Sequence, residues 1–177
     1  MEFVELKIGE RTDMILIFGG AYQGKLEFAK ALAQERRGAG CGEPTVFDCG
    51  GTEPTGACPD FSADIICGLE HFARACVAGE VTADREDGPV EGTGKAGDET
   101  PETAEPAGPV EAAEWMRRRK DQWQDRILVI TDVSQGIVPM DAQARAFREM
   151  NGRLMMYLAR EAEEVYRVFC GIGKRID

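Results

Sequence analysis

The chain has 177 residues, of which 43% are apolar and 7% aromatic, and a formal net charge of −11. That length holds one α/β domain with a single core and is short for two. The acidity is local: residues 80–114 carry eleven acidic and two basic side chains, so the rest of the chain is near neutral, and a mildly acidic body argues against a nucleic-acid backbone as partner, since phosphate binding needs clustered Lys and Arg.

Residues 1–13 read as an N-terminal extension. Val4, Leu6 and Ile8 alternate with Glu5 and Lys7, a hint of a short strand. The segment has no secretory-leader pattern. No later run approaches the ~20 apolar residues of a membrane span. The expected location is the cytoplasm. Residues 14–177 read as the single domain. Residues 14–18 (MILIF) are a continuous apolar run ended by Gly19 and Gly20, the pattern of a strand buried on both faces of a parallel sheet. Residues 25–36 favour helix, with Phe28, Ala29 and Leu32 on one side and Gly38 and Gly40 as the stop. Residues 45–48 form a short second strand. Ser62 or Asp64 then caps a helix running to about residue 78, with Ile65, Ile66, Leu69, Phe72 and Cys76 on its apolar side.

Residues 80–110 change character, with five glycines, four of the eight prolines and no aromatic side chain. Such a stretch buries too little apolar area to offset its ordering entropy, so it reads as a disordered or loosely held acidic insert, the functional alternative being an interaction tail placed mid-chain. A charged helix over 111–124 follows, then a third strand over 127–130. Pro139 and Asp141 open a long helix whose Phe147, Met150, Leu154 and Leu158 form one stripe. A last strand over 165–170 leads to a turn at Gly171 and Gly173. Strands alternating with helices predict an α/β fold, specifically a P-loop NTPase-like three-layer α/β/α sandwich with a mostly parallel sheet. The six cysteines, Cys41, Cys49, Cys58, Cys67, Cys76 and Cys170, contain no C-x-x-C pair, which speaks against zinc and for ordinary buried or half-buried thiols.

The most informative string is Gly19-Gly20-Ala21-Tyr22-Gln23-Gly24-Lys25-Leu26. It meets G-x-x-x-x-G-K-[ST] at every defined position except the last, and it sits between an apolar strand and a helix. Glycines let the backbone curl so that successive N–H groups converge, the helix N-terminus adds partial positive charge, and Lys25 adds a full one. Leu26 stands where a Ser or Thr hydroxyl ordinarily reaches Mg2+. The alternative reading is a plain glycine turn with a solvated Lys25. Residues 127–132 (ILVITD) are an apolar strand ending in a carboxylate. This pattern places Asp132 beside Mg2+ and makes Lys25 and Asp132 the expected catalytic pair; the alternative is an Asp that caps the turn before Gly136.

From Asp132 onward the chain reads Asp-Val-Ser-Gln-Gly-Ile-Val-Pro, then Arg145-x-Phe-Arg148, Gly152-Arg153 and Ala162-Glu-Glu-Val165. This resembles the bifunctional adenosylcobinamide kinase/adenosylcobinamide-phosphate guanylyltransferase family of cobalamin biosynthesis. Members of that family read N-E-V-G-x-G-I-V-P, R-x-F-R-D, G-R-x-N-Q and A-x-x-A-D-x-V after an opening G-G-x-x-S-G-K-S. By position the resemblance carries over Gly19, Gly20, Gly24, Lys25, Asp132, Gly136, Pro139, Arg145 and Arg148. Thr131 stands for the family's Asn and Ser134 for a Gly, and both are further substrate-side candidates. The bland reading of Arg145 and Arg148 is salt bridging on a helix face.

The resemblance implies a nucleotide (ATP or GTP) with Mg2+, a corrinoid acceptor, and a homo-oligomer. It also implies kinase and guanylyltransferase activities. The family's nucleotide-accepting histidine is not matched. His71, the chain's one histidine, lies inside the predicted 62–78 helix and reads as a helix-face residue at the core edge. Three readings stay open: a corrinoid kinase with guanylyltransferase capacity, a nucleotide-binding module with a regulatory or partner-binding role, and a scaffold that binds no nucleotide.

Overall fold

The computed structural model describes residues 13–38, 40–51, 58–81 and 110–176. The 4–8 strand hint and nearly all of the acidic insert lie outside the described residues. A six-stranded sheet in the order β2-β3-β4-β1-β5-β6 organises the rest. Its strands are β1 (Ile15–Gly19), β2 (Val46–Asp48), β3 (Ile65–Cys67), β4 (Ile127–Thr131), β5 (Glu164–Phe169) and β6 (Ile172–Ile176). The first five run parallel, and only the β5–β6 hairpin is antiparallel. β1 lies centrally, with Ile15 opposite Ile127 on one side and Glu164 on the other. The fold is thus the expected mostly parallel α/β arrangement.

Alternation along the strands sorts side chains into two layers. Ile15, Ile17, Ile65, Cys67, Ile127 and Val129 face α1 (Lys25–Arg37), against which Ala29 and Ala33 are buried. Leu16, Ile66, Leu128 and Ile130 face the thicker layer of α2 (Leu69–Ala78), α3 (Ala112–Arg118), α4 (Lys120–Trp123) and α5 (Ala142–Glu161). Strands buried on both faces explain why they read as unbroken apolar runs rather than as alternating ones.

Two elements differ from the sequence expectation. The helix expected from Ser62 or Asp64 to residue 78 is a strand and a helix. Residues 65–67 enter the sheet between β2 and β4, and Gly68, at φ 71°, turns the chain into α2. Asp64 is no helix cap: its carboxylate accepts from Thr45 N at 2.7 Å and Thr45 Oγ1 at 2.6 Å, tying the start of β2 to that of β3. Two adjacent isoleucines fit a helical stripe as well as a strand, but full burial on both sides suits β-branched side chains in a sheet. The helix expected over 111–124 breaks at Arg119 (φ −116°, ψ 24°) into α3 and α4. At that break the Met116 carbonyl accepts from Arg119 N and from the buried Trp123 indole at 2.9 Å.

α5 opens not at Pro139 but after Asp141, whose carboxylate accepts from Ala144 N at 2.7 Å as a capping residue does. Leu154 and Leu158 of its stripe are buried, and Phe147 and Met150 pack beside them. The β5–β6 turn is Cys170–Gly171, both at positive φ, as a two-residue hairpin requires. The six thiols are free: Cys49, Cys67 and Cys76 are buried, Cys58 is half-buried, and Cys41 and Cys170 are exposed. Burial pushes Cys67 and Cys76 up to about 12, so neither is a ready nucleophile at neutral pH.

Candidate functional site

All parallel strands release the chain at one edge, so the loops after β1 and β4 and the entry to α2 gather there. This is the edge at which open α/β sheets take ligands. Gly19 ends β1 where backbones crowd: a Cβ there would stand 2.3 Å from the Val168 carbonyl oxygen. Its own carbonyl accepts from Asp132 N at 2.9 Å, which ties the β1 loop to the β4 loop. Gly20 and Ala21 then turn outward. Tyr22 sits in the left-handed region at φ 58° with its ring wholly in solvent. Gln23 anchors the far side of the loop, its carbonyl accepting from Gly171 N at 2.9 Å and its Oε1 from Cys170 N at 2.7 Å. Gly24, at φ 80°, supplies the left-handed step that starts α1.

Among the described residues, no hydrogen bond uses the backbone N–H of any residue from Gly20 to Glu27. These are the first-turn donors of a 13-residue helix together with those of the loop leading into it. Lys25 folds back over them, its Nζ donating to the Gly20 carbonyl at 2.7 Å. Burial lowers the Lys25 pKa, and the charge of Glu70 offsets part of that. Leu26 does not face the loop's polar interior as a hydroxyl residue would; it packs against the core layer beneath α1.

Glu70 is the residue that sequence reasoning missed. It occupies the first turn of α2, and its carboxylate accepts from Thr131 N at 2.9 Å and Thr131 Oγ1 at 2.5 Å. The Thr131 carbonyl in turn accepts from the buried Asn151 Nδ2 of α5 at 3.0 Å. Thr131 is therefore fixed at three atoms by two helices. A single helix over residues 62–78 would put Glu70 mid-helix; the signal is Gly68, which ends β3 and places Glu70 three residues past the last strand residue, Cys67.

Asp132 follows Thr131 and forms a tight turn, accepting from Ser134 N at 2.9 Å, Ser134 Oγ at 2.5 Å and Gln135 Nε2 at 3.2 Å. Burial pushes its carboxyl up, but these bonds and the nearby Arg167 charge prevail and hold it below the ordinary carboxylate range. Arg148 donates to the Ser134 and Ile137 carbonyls, and Arg145 to the Pro139 and Met140 carbonyls. Neither arginine is salt-bridged among the described residues. Both hold the backbone of the 134–140 loop, with Gly136 at φ 96° on its outer bend and Ile137 and Met140 thrust into solvent. Lys25, Glu70, Thr131 and Asp132 thus share the mouth of the phosphate-type loop, whereas Gly136, Pro139, Arg145 and Arg148 build the neighbouring loop.

Residues 99–176 match the sequence model of the family described as cobinamide kinase / cobinamide phosphate guanyltransferase. The match covers somewhat less than half of the chain. Over 50 residues the chain is 46% identical to the bifunctional adenosylcobalamin biosynthesis protein CobU of Salmonella typhimurium, and equally so to the protein of the same name from Escherichia coli K12. The matched stretch spans 28% of this chain and 28% of each relative. The cobinamide kinase / guanyltransferase match includes β4, the 134–140 loop, α5 and the terminal hairpin. The β1 loop lies outside it, so the reading of residues 19–26 rests on their own geometry. Among the described residues no helix is long and apolar enough to cross a membrane.

Proposed function

We propose that the chain binds ATP or GTP through residues 19–26 and transfers the terminal phosphoryl group to a cobinamide hydroxyl. The observation that carries this reading is the run of uncommitted amides from Gly20 to Glu27 beneath the Lys25 ammonium, on a chain whose later half matches a cobinamide kinase family. Converging N–H groups and a lysine are what a polyphosphate needs. In the transfer, the cobinamide oxygen bonds to the terminal phosphorus, the bond to the bridging oxygen breaks, and the nucleoside diphosphate leaves. The hydroxyl proton passes to a carboxylate, for which Glu70 and Asp132 are the candidates. Lys25 and the loop amides stabilise the charge that spreads over the phosphoryl oxygens. A guanylyl transfer from GTP to the phosphorylated acceptor, in which an acceptor phosphate oxygen bonds to the α-phosphorus and pyrophosphate leaves, would use the same loop.

Mg2+ fits this donor set in one way only. Among the described residues no group of three His, Cys, Asp or Glu side chains is arranged to hold a metal. Mg2+ bound to a nucleotide keeps waters and phosphate oxygens and needs just one or two carboxylates. Asp132 and Glu70 would supply them, and the ion would neutralise phosphate charge. A second reading, nucleotide binding without efficient turnover, is favoured by Leu26, which offers no hydroxyl and is committed to packing.

Incubation with cobinamide, Mg2+ and ATP or GTP separates the two, since only the first reading yields cobinamide phosphate. Leu26→Ser is expected to cost about 1–2 kcal/mol of stability through lost packing. The same change should make nucleotide affinity more dependent on Mg2+. An Mg2+ dependence identical to that of the parent chain would count against the proposed loop geometry.

A further inference from the structure

A second concavity, of about 510 Å3, opens on the same edge of the sheet, beyond β4 from the phosphate-type loop. It lies between the residues after β2, the α2 face and the start of α5. Its size is that of a small-molecule site. His71 and Arg74, one turn apart on α2, share the face that lines it. The Arg74 guanidinium lies 4.5 Å from the centroid of the Phe147 ring and makes no hydrogen bond or ion pair among the described residues. Glu80, Asp141 and Gln143 complete the polar lining. Gly50 lets the wall close on His71, since a Cβ there would come within 2.7 Å of the imidazole. The first turn of α2 connects this cleft to the site described above: Glu70 reaches Thr131, and the next residue, His71, turns about 100° away into the cleft.

We infer that this cleft seats the carboxamide-bearing rim of the acceptor while the acceptor's hydroxyl points toward Lys25 and Glu70. The inference rests on the proposed function and names the acceptor's contact surface. A primary carboxamide both donates and accepts hydrogen bonds. The cleft offers unused donors on Arg74, acceptors on Asp141 and Glu80, and both on Gln143. Arg74 and the two carboxylates oppose one another in charge, which suits a neutral amide better than an anion. The Arg74–Phe147 stack and the alanines of α2 give an apolar floor for the hydrocarbon that carries the amides.

The test is titration of the whole chain with cobinamide and, separately, with ATP or GTP, for the parent, Arg74→Ala and Ala78→Trp. Ala78 is exposed and lines the cleft, so tryptophan there fills the space without changing charge. Each variant is expected to weaken cobinamide binding about tenfold or more while leaving nucleotide affinity within about twofold. In turnover the KM for cobinamide should rise and kcat should hold. Parent-like cobinamide binding in both variants, each folded by its melting curve, overturns the cleft and leaves the proposed function standing. A parent chain that binds nucleotide but no cobinamide overturns both.

Discussion

Lys25→Met is expected to weaken ATP or GTP binding by about ten- to a hundredfold, the worth of a charge-assisted hydrogen bond to an anion. Any turnover should fall further, by about 10^2–10^3, because the ammonium also stabilises charge that develops during transfer. Methionine keeps the length and apolar stem of lysine and removes only the charge. The amine is half-buried and gives one hydrogen bond to its own loop, so the melting temperature should hardly move. Titration calorimetry with a parallel melting curve checks both halves. Nucleotide affinity equal to that of the parent would mean that the lysine is a loop strut and not an anion ligand.

Glu70→Gln carries the second large effect, with a sign that can be worked out. Glu70 raises the Lys25 pKa against the lowering that burial imposes. Without its charge Lys25 loses its proton at lower pH, so the alkaline fall in nucleotide affinity should move toward neutrality. At neutral pH without Mg2+, removing a carboxylate from the phosphate mouth should tighten nucleotide binding by roughly tenfold. Turnover with Mg2+ should instead drop by about 10^2-fold or more, since glutamine neither accepts a proton nor holds a cation well. Glutamine retains an acceptor for Thr131, so the loop geometry should survive. Unchanged alkaline behaviour together with unchanged turnover would reduce Glu70 to a structural tie on β4.

The parallel sheet and the phosphate-type loop were legible because their signals are local. Residues 14–18 and 127–130 are apolar without alternation, and Gly24-Lys25 at the head of a helix follows the first of them. What stayed hidden was β3. Three residues are too few for period two to be distinguished from 3.6, and Ile65, Ile66, Leu69, Phe72 and Cys76 satisfy a helical stripe. Misplacing β3 buried Glu70 inside a helix, and with it a carboxylate whose charge acts on Lys25. The fates of Arg145 and Arg148 were also beyond the sequence. Their motif spacing says that they share a face of α5, but only the folded 134–140 loop brings its carbonyls to them. His71 does lie on an exposed helix face, and the cleft beside it depends on the return of α5, some seventy residues later.

The central claim, that the loop amides and Lys25 together hold a polyphosphate, is tested most directly by amide NMR. Adding ATP or GTP to the 15N-labelled chain should shift the N–H resonances of Gly20 to Glu27 most strongly, with smaller shifts at Thr131 and Asp132. Shifts that leave residues 20–27 untouched, or no shifts at millimolar nucleotide, would contradict the account.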